Sequence, residues 1–542
     1  MKGLLWKKLA GLSRPVVIAF ALAGVFGVIA VRGTAVALDA DRGAEAVRSA
    51  QTAEDLPRRA DIVDRNGELL ATTVAVYSLY ADPRAIWDAE EVTARLVTVF
   101  EDLNRESVIK RLEQKDRKFV WVRRGLTPRQ RQAVFDLGLE GLGFEVESKR
   151  IYPRGTQSGH VLGHTNVDGV GQKGIELSLE DQLQGHEAPV MLTIDSGVQF
   201  VLEAELAEVA ERHEVIGAVG LVIEASTGNI RALASWPAFN PNRPGVASDD
   251  EQRNRVVEGV YELGSIFKPL TVAAALEAGK LDLDEQFDVR APIVLRGRVI
   301  TDTHEAAPRM TAATILAESS NIGTVKIAQR LGGTGLQDFY QSLGLLARAK
   351  IELPASARPL PPPEWTDLSI ATASYGHGIA VSPLAFAATY TAFANKGAQA
   401  DLRLVETDEP PALRRVMSEA TADAVLDMLR GAVLEGTGRR GEAPGYHVAG
   451  KTGTAEKPIA GGYAADRNVT SFAALFPANS PEYVVLIVLD DPRVLEGDGG
   501  ATAAWNAAPV AGRVIERIAP ILGVQPEFDQ AIREGASQRS VP

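Results

Sequence analysis

Two serine–lysine pairs in this sequence have the spacing Ser-x-x-Lys, Ser107–Lys110 and Ser265–Lys268. A serine hydroxyl is a poor nucleophile near pH 7 and needs a base that removes its proton in the transition state. No histidine lies within ten residues of Ser265, whereas Lys268 follows one helical turn later on the same predicted face. Lys268 can be that base only when it is neutral, which requires burial or a second cation nearby. The segment is therefore a candidate nucleophile with its own base.

The pair Ser107–Lys110 has a simpler interpretation. It lies in the highly charged stretch NRESVIKRLEQKDRK, which predicts a solvated surface helix. Taken alone, Ser265 and Lys268 allow a similar interpretation, a helix cap followed by a solvent-facing lysine. Further motifs are needed to favour catalysis.

Two such motifs follow Ser265 along the chain, Ser319-Ser320-Asn321 and Lys451-Thr452-Gly453-Thr454. Lys451 can supply the second cation that keeps Lys268 neutral. Ser319 can pass a proton to a departing amine, and Asn321 can hold the Lys268 amine while it grips a substrate amide. Together, in this order, the three motifs predict serine acyl transfer.

The last motif also predicts how a substrate is bound. Gly453 lets a substrate backbone lie close to the strand, and the hydroxyls of Thr452 and Thr454 can bind a carboxylate. The backbone N–H groups of Ser265 and Thr454 can form an oxyanion hole. Residues 445–452, GYHVAGKT, also have the Gly-x4-Gly-Lys-Thr spacing of a phosphate loop, an alternative that the order of the three motifs disfavours.

Composition excludes several other classes of site. The chain has 542 residues and a formal charge of −13, which argues against a nucleic acid as the ligand. It has no cysteine, so a disulfide framework, a cysteine-ligated zinc site and a thiol nucleophile are excluded. The seven histidines are scattered, and the sequence therefore predicts no metal and no cofactor.

An apolar segment near the N-terminus predicts membrane attachment. Residues 15–31 carry no charge, and after Arg32 the apolar run resumes to residue 38. It approaches the ~20 residues that span a bilayer. Four basic residues precede it and the charges beyond it are mixed, so the short tail should be cytoplasmic and the bulk exported. We expect an uncleaved anchor; a signal peptide cleaved near the small residues at 35–37 is the alternative.

The patterning predicts an α+β fold. An Asn-Gly turn at 66–67 predicts a hairpin, and residues 88–118 predict surface helices. From residue 190 a strand leads into a helix capped by Asp195, two strands flank STGN, and an apolar helix runs from Ser265 to Gly279. A buried strand at 482–492 and a closing helix complete an antiparallel sheet flanked by helices.

With these motifs the chain resembles the class B penicillin-binding proteins, the D,D-transpeptidases of peptidoglycan synthesis. The resemblance extends over about residues 55–520 through RADIVDRNG at 59–67, RIYP at 150–153, GQKGIE at 171–176, TIDSGVQ at 193–199 and ASYGHGIAVSPL at 373–384. Ala60 stands where members usually carry glycine, and Leu263 stands where many members carry proline. The Ser-Tyr-Gly-x-Gly form is similar to that of the septal, FtsI-like branch.

The resemblance implies a domain plan and a set of site residues. The expected parts are a cytoplasmic tail (1–14), a transmembrane anchor (15–38), a stalk (39–57), a pedestal (58–190), a penicillin-binding, serine β-lactamase-like transpeptidase domain (191–525) and a disordered tail (526–542). The implied catalytic residues are Ser265, Lys268, Ser319, Asn321 and Lys451, with substrate binding by Thr452, Gly453 and Thr454.

The resemblance also implies the reaction and the partners. Ser265 would attack the D-Ala–D-Ala bond of a peptidoglycan stem peptide, and the amine of a neighbouring stem would resolve the acyl-enzyme. Expected ligands are the lipid-linked wall precursor and β-lactam inhibitors. Expected partners are a SEDS-type glycosyltransferase and other division proteins at the inner membrane, with the catalytic domain periplasmic. A D,D-carboxypeptidase or β-lactamase, or a penicillin-binding sensor or scaffold, is the alternative.

Overall fold

The computed structural model describes residues 22–32, 34, 59–302, 307–354, 356–459, 462–494 and 500–528. In chain order, the α-helices from residue 59 onwards are α1 Ala89–Val97, α2 Arg105–Leu112, α3 Pro128–Asp136, α4 Gly159–Leu162, α5 Gly174–Ser178, α6 Glu180–Leu183, α7 Ser196–Arg212, α8 Arg255–Glu258, α9 Lys268–Glu277, α10 Ala312–Ala317, α11 Asn321–Ser342, α12 Asp367–Ser374, α13 Pro383–Ala394, α14 Glu419–Leu434 and α15 Ala507–Ile518. Short 3-10 helices span Pro244–Val246, Gly264–Phe267 and Arg439–Gly441.

The strands follow the same order. They are β1 Ile62–Val63, β2 Leu69–Ala81, β3 Val120–Leu126, β4 Leu142–Ile151, β5 Val190–Met191, β6 Gly217–Glu224, β7 Ile230–Trp236, β8 Phe287–Asp288, β9 Ile293–Leu295, β10 Arg298–Ile300, β11 Arg309–Met310, β12 Ala398–Ala400, β13 Leu413–Arg415, β14 Ala449–Ile459, β15 Gly462–Phe476 and β16 Tyr483–Asp490.

The described chain divides into two compact units. One contains residues 74–149, and the other contains the described residues of 59–73 and of 150–528. In the first unit, β3 pairs antiparallel with the end of β2, and α1 and α2 contribute Leu96 and Leu112 to a small core. The predicted boundary between domains at residue 190 stays a prediction.

The second unit is built on a five-stranded antiparallel sheet in the order β14-β15-β16-β6-β7. Strand β16 is buried on both faces, because alternate side chains of a strand point to opposite sides of the sheet. Leu486 belongs to the core that contains Leu270 and Phe386, whereas Ile487 belongs to the core that contains Leu202. Helices therefore cover both faces, as the sequence predicts for an α+β fold.

Several predicted elements are confirmed by the structure. Strands β1 and β2 form the hairpin around Gly67, which has a φ of 81°. The side chain of Asp195 caps α7 by accepting hydrogen bonds from the N–H groups of Gly197 (3.0 Å) and Val198 (3.2 Å). The apolar helix after Ser265 ends as predicted, with Gly279 in the left-handed region.

A buried ion cluster joins three of the N-terminal motifs in the second unit. Glu176 is fully buried and accepts hydrogen bonds from Arg59 Nε and Arg150 Nε, each at 2.7 Å. Arg59 also pairs with Glu180 at 2.9 Å. Because a buried charge is tolerated only when it is paired, each motif depends on the others for its fold.

The N-terminal predictions fall mostly outside the described residues. Within the anchor predicted at 15–38, residues 22–32 and 34 are helical and exposed, and the remainder lies outside the description, as do the tail at 1–14, the stalk at 39–57 and residue 58. None of the helices in the described part of the chain has both the length and the apolarity for crossing a membrane. Of the predicted tail at 526–542, residues 529–542 also lie outside.

Candidate active site

The nucleophile segment lies directly against strand β14. Gly264 has a φ of 62°, and a side chain there would place a Cβ 2.7 Å from the carbonyl oxygen of Thr454. Only glycine fits this turn without strain. The chain then enters the 3-10 helix Gly264–Phe267 and continues as α9. Ser265 is partly exposed, and its hydroxyl has no hydrogen-bond partner within the described ranges.

Three contacts from distant parts of the chain fix this segment. The carbonyl of Leu263 accepts a hydrogen bond from Ser471 Oγ (2.9 Å). The carbonyl of Ile266 accepts one from Tyr390 OH (3.0 Å). The N–H of Gly264 donates to the carbonyl of Gly376 at 3.3 Å. The residues on both sides of Ser265 are therefore held on strand β15, helix α13 and the loop after α12.

Lys268, the first residue of α9, is fully buried. Its Nζ donates to the carbonyl of Ser319 and to the Ser319 hydroxyl, the latter at 3.1 Å. Burial lowers the pKa of Lys268 well below its usual value; the positive charge of Lys451 lowers it further, and Asp302 opposes both. The environment thus favours the neutral amine that a general base requires.

Lys451 lies on β14 and is also fully buried. Burial lowers its pKa to about 7. Its Nζ donates to the carbonyl of Thr452 (3.0 Å) and contacts the Thr452 hydroxyl (3.4 Å). That hydroxyl shares a second hydrogen bond of 2.8 Å with the hydroxyl of Thr437. Thr437 therefore fixes the orientation of Thr452, and no local sequence pattern had indicated it.

Gly453 and Thr454 complete strand β14 at the site. A Cβ at Gly453 would lie 2.3 Å from the Leu263 carbonyl and 2.4 Å from Ser471 Oγ. Because Gly453 has no side chain, strand β14 can lie close to the nucleophile segment. This is a second role for Gly453, beside the close approach of a substrate backbone that the sequence predicts. The Thr454 hydroxyl accepts a hydrogen bond from the N–H of Ala503 (3.1 Å) and retains its own proton for donation.

The Ser-x-Asn motif occupies the start of α11. Ser319 has a φ of 60°, and this backbone presents both its carbonyl and its hydroxyl to Lys268. We expected Asn321 to hold the Lys268 amine, but its side-chain amide donates to the carbonyl of Thr301 (3.0 Å). In this arrangement Ser319 alone of the motif contacts Lys268.

The other Ser-x-x-Lys pair is placed differently. Ser107 and Lys110 lie on α2 with exposed side chains, in a unit separate from the one that contains β14. The interpretation as a solvated helix face agrees with this placement.

A polar cluster borders the nucleophile segment. Glu262, three residues before Ser265, accepts hydrogen bonds from Tyr463 OH at 3.0 and 3.2 Å, and His377 Nδ1 lies 3.8 Å from it. Burial first, then the charges of Arg298 and Lys268, lowers the pKa of His377 to about 4. His377 is therefore neutral near pH 7. The described residues contain no group of three side chains that could hold a metal ion.

Family models match most of the chain. Residues 218–516 match the penicillin-binding protein transpeptidase domain, and residues 54–212 match the penicillin-binding protein dimerisation domain. All the predicted site residues lie in the first range.

Similar proteins span nearly the same length. The chain is 41% identical over 500 residues to a probable peptidoglycan D,D-transpeptidase FtsI of Caulobacter vibrioides, covering 89% of this chain and 85% of the relative. It is 34% identical to a probable peptidoglycan D,D-transpeptidase PenA of Neisseria gonorrhoeae (86% and 85%) and 27% identical to the peptidoglycan D,D-transpeptidase FtsI of Escherichia coli (89% and 86%).

The fold has solved counterparts as well. Penicillin-binding protein 3 of Mycobacterium tuberculosis in complex with aztreonam matches with a TM-score of 0.70 and 26% identity, over 88% of this chain and 98% of that one. Together with the matched domains and the 41% identity, this likeness shows that the chain belongs to the penicillin-binding protein family, in its FtsI-like class B.

Proposed function

We propose that this chain is a serine-type peptidoglycan D,D-transpeptidase that acts through Ser265, with Lys268 as the base. The observation that carries the proposal is that two fully buried lysines, Lys268 and Lys451, interact through their charges and lie on the two segments, α9 and β14, that meet at the fixed loop of Ser265. Neither lysine forms an ion pair with a carboxylate in the described residues, and burial lowers the pKa of both, against a smaller opposing effect of Asp302 on Lys268.

Acylation begins with a stem peptide whose D-Ala–D-Ala end lies along β14. The neutral amine of Lys268 takes the proton of Ser265 as the hydroxyl oxygen bonds to the carbonyl carbon. The oxyanion that forms accepts hydrogen bonds from the N–H groups of Ser265 and Thr454. The closeness of Gly264 to the Thr454 backbone supports this pairing of donors.

The intermediate then collapses and the C–N bond to the terminal D-alanine breaks. The proton held by Lys268 reaches the leaving nitrogen through the Ser319 hydroxyl, which lies 3.1 Å from the amine. Thr452 and Thr454 bind the terminal carboxylate, while Asn321 contacts the amide of the substrate. In deacylation the acceptor amine bonds to the acyl carbon, its proton passes to Lys268, and the Ser265 oxygen leaves with that proton.

A β-lactam presents a strained amide in place of D-Ala–D-Ala and acylates Ser265 by the first half of this reaction. The M. tuberculosis protein was solved with aztreonam and with ampicillin, which supports β-lactam binding here. The names of the relatives, two of them FtsI, and the SYGHG segment at 374–378 support a role in septal wall synthesis.

Anchoring at the inner membrane belongs to the same proposal. The apolar run within residues 15–38 and the basic residues before it support a single-pass anchor, with the catalytic domain in the periplasm. Residues 58–190 serve as a pedestal without chemistry, and residues 191–525 carry the transpeptidase. A SEDS-type glycosyltransferase is the proposed partner, and co-purification from membranes with and without residues 1–38 tests it.

Covalent labelling with a fluorescent penicillin tests the nucleophile. The wild-type protein should label, and Ser265→Ala should not. Ser107→Ala is the matched control, because it removes the serine of the other Ser-x-x-Lys pair and should label as the wild type does. Covalent labelling of Ser265→Ala would refute the assignment.

Product analysis tests the reaction. Incubation with pentapeptide-bearing peptidoglycan precursor and an acceptor stem should yield cross-linked product together with one free D-alanine per cross-link. Free D-alanine without cross-links would identify a carboxypeptidase instead. Labelling without any turnover would identify a penicillin-binding sensor.

A further inference from the structure

Asp302 connects the end of strand β10 to the start of helix α11. Its Oδ1 accepts hydrogen bonds from the N–H groups of Asn321 (2.5 Å) and Ile322 (3.0 Å), and its Oδ2 accepts one from Ser320 Oγ (2.7 Å). A carboxylate is favourable at this position because the first N–H groups of a helix have no partner within the helix.

The neighbouring residues strengthen the same connection. Ser320 Oγ accepts a hydrogen bond from the N–H of Gly323 (2.9 Å) while it donates to Asp302. The carbonyl of Thr301 accepts a hydrogen bond from the side-chain amide of Asn321. Two consecutive residues, Thr301 and Asp302, thus hold both the backbone and the side chains of the residues that follow Ser319.

Ser319 itself depends on this attachment. Its left-handed backbone is rare for a residue other than glycine and persists only when its surroundings fix it. On one side it is held by Lys268, which donates to its carbonyl and hydroxyl, and on the other by Ser320, which is bonded to Asp302. The contact of 3.1 Å between the Ser319 hydroxyl and the amine is therefore set in part by Asp302.

Asp302 also acts on Lys268 through its charge. Within the described residues, the charged groups that act on the Lys268 amine are Lys451 on β14 and Asp302 beside α11. Lys268 in turn acts on His377, which follows α12. His377 is neutral near pH 7, because its pKa is about 4. Lys451 disfavours the ammonium form of Lys268 and Asp302 favours it, so the two neighbours oppose each other.

We propose that Asp302 is a positioning residue of the acylation reaction, which places Ser319 against Lys268 through its hydrogen bonds to the start of α11. The inference rests on the proposed function, in which Lys268 is the base and Ser319 the proton carrier. It assigns two separable effects to one side chain, a geometric effect through hydrogen bonds and an electrostatic effect through charge.

Two substitutions separate these effects. Asp302→Asn keeps the shape and a carbonyl that can accept from the α11 N–H groups, but it removes the charge. Asp302→Ala removes both. Asp288→Asn is the control, because Asp288 lies in the same part of the chain and pairs with Arg290 at an exposed position.

The measurement is the second-order rate of acylation by a fluorescent penicillin from pH 5 to 9, with thermal unfolding of each variant. Both Asp302 variants should move the acid limb of the profile to lower pH, because the carboxylate that favours the ammonium is gone. Asp302→Ala should also lower the plateau by about tenfold to a hundredfold, the usual effect of losing hydrogen bonds to a charged group. Asp302→Asn should retain most of the wild-type plateau rate, and Asp288→Asn should match the wild type in both the plateau rate and the acid limb.

An unchanged acid limb in Asp302→Asn would overturn the electrostatic part, and a wild-type plateau in Asp302→Ala would overturn the geometric part. If Asp302→Ala does not fold, the position of the acid limb in Asp302→Asn alone decides whether the proposal stands. Failure of the wild-type protein to label would instead refute the proposed function, so the two failures are distinguishable.

Discussion

Replacing Gly453 by alanine changes the distance between strand β14 and the nucleophile segment. The added Cβ would lie 2.3 Å from the Leu263 carbonyl oxygen, 2.4 Å from Ser471 Oγ and 3.1 Å from Ile266 Cγ2. Ordinary contacts of a Cβ begin near 3.4 Å. The Leu263 carbonyl is backbone, so the strand and the segment must separate by roughly 1 Å to relieve the overlap.

This displacement falls on the catalytic geometry, because Leu263 lies two residues before Ser265 and Gly453 lies two residues after Lys451. A misplacement of about 1 Å in an active site can cost roughly a hundredfold in rate. The overpacking itself should destabilise the fold by about 1–3 kcal/mol. We therefore expect Gly453→Ala to remain folded and to be acylated about a hundredfold more slowly.

The assay is stopped-flow or gel-based acylation by a fluorescent penicillin, together with urea unfolding. Gly431→Ala in α14 is the matched control, since a Cβ there meets nothing within 4 Å. It should acylate at the wild-type rate and gain about 0.5–1 kcal/mol of stability from the better helix propensity. A Gly453→Ala protein that acylates at the wild-type rate would refute the argument that this close approach positions Ser265.

Two further predictions concern stability. Glu176→Ala leaves the buried guanidinium groups of Arg59 and Arg150 without their shared carboxylate, and it should lower the free energy of unfolding in urea by about 3–5 kcal/mol. Glu419→Ala removes a carboxylate from an exposed ion pair and should change the free energy of unfolding little. A loss as small as that of the exposed control would contradict the structural role of the cluster. Burial lowers the pKa of His160 from 6.5 to about 4, so between these values the unfolded chain binds a proton that the folded chain does not. Stability should therefore fall as the pH drops from about 6.5 to 4, and His160→Gln should reduce this slope; an unchanged slope would show that His160 is not its source.

Local patterns predicted the elements that carry the site. The helix α9 follows from its apolar run and from the glycine at its end, and Asp195 is recognisable as a cap from its position alone. The motifs predict the serine and both lysines as site residues, because each motif has the residue types and the spacing that the chemistry requires. The structure then places Lys268 and Ser319 within hydrogen-bond distance.

Long-range hydrogen bonds could not be predicted from these patterns. Ser471 and Tyr390 bind the carbonyls on either side of Ser265 from more than one hundred residues away, and a serine or tyrosine in a buried element has no pattern that indicates its partner. For the same reason, the sequence did not indicate the contact that the structure shows for Asn321. Its side-chain amide donates to the carbonyl of Thr301, which only the fold brings beside it.

Replacing Lys268 by arginine tests the central claim, that an uncharged buried amine activates Ser265, most directly. Arginine keeps a long basic side chain but stays protonated, so it cannot accept the serine proton. The account predicts that Lys268→Arg folds, as judged by thermal unfolding, and is acylated by penicillin at least about a hundredfold more slowly at every pH from 5 to 9. Acylation of a folded Lys268→Arg protein at the wild-type rate would contradict it.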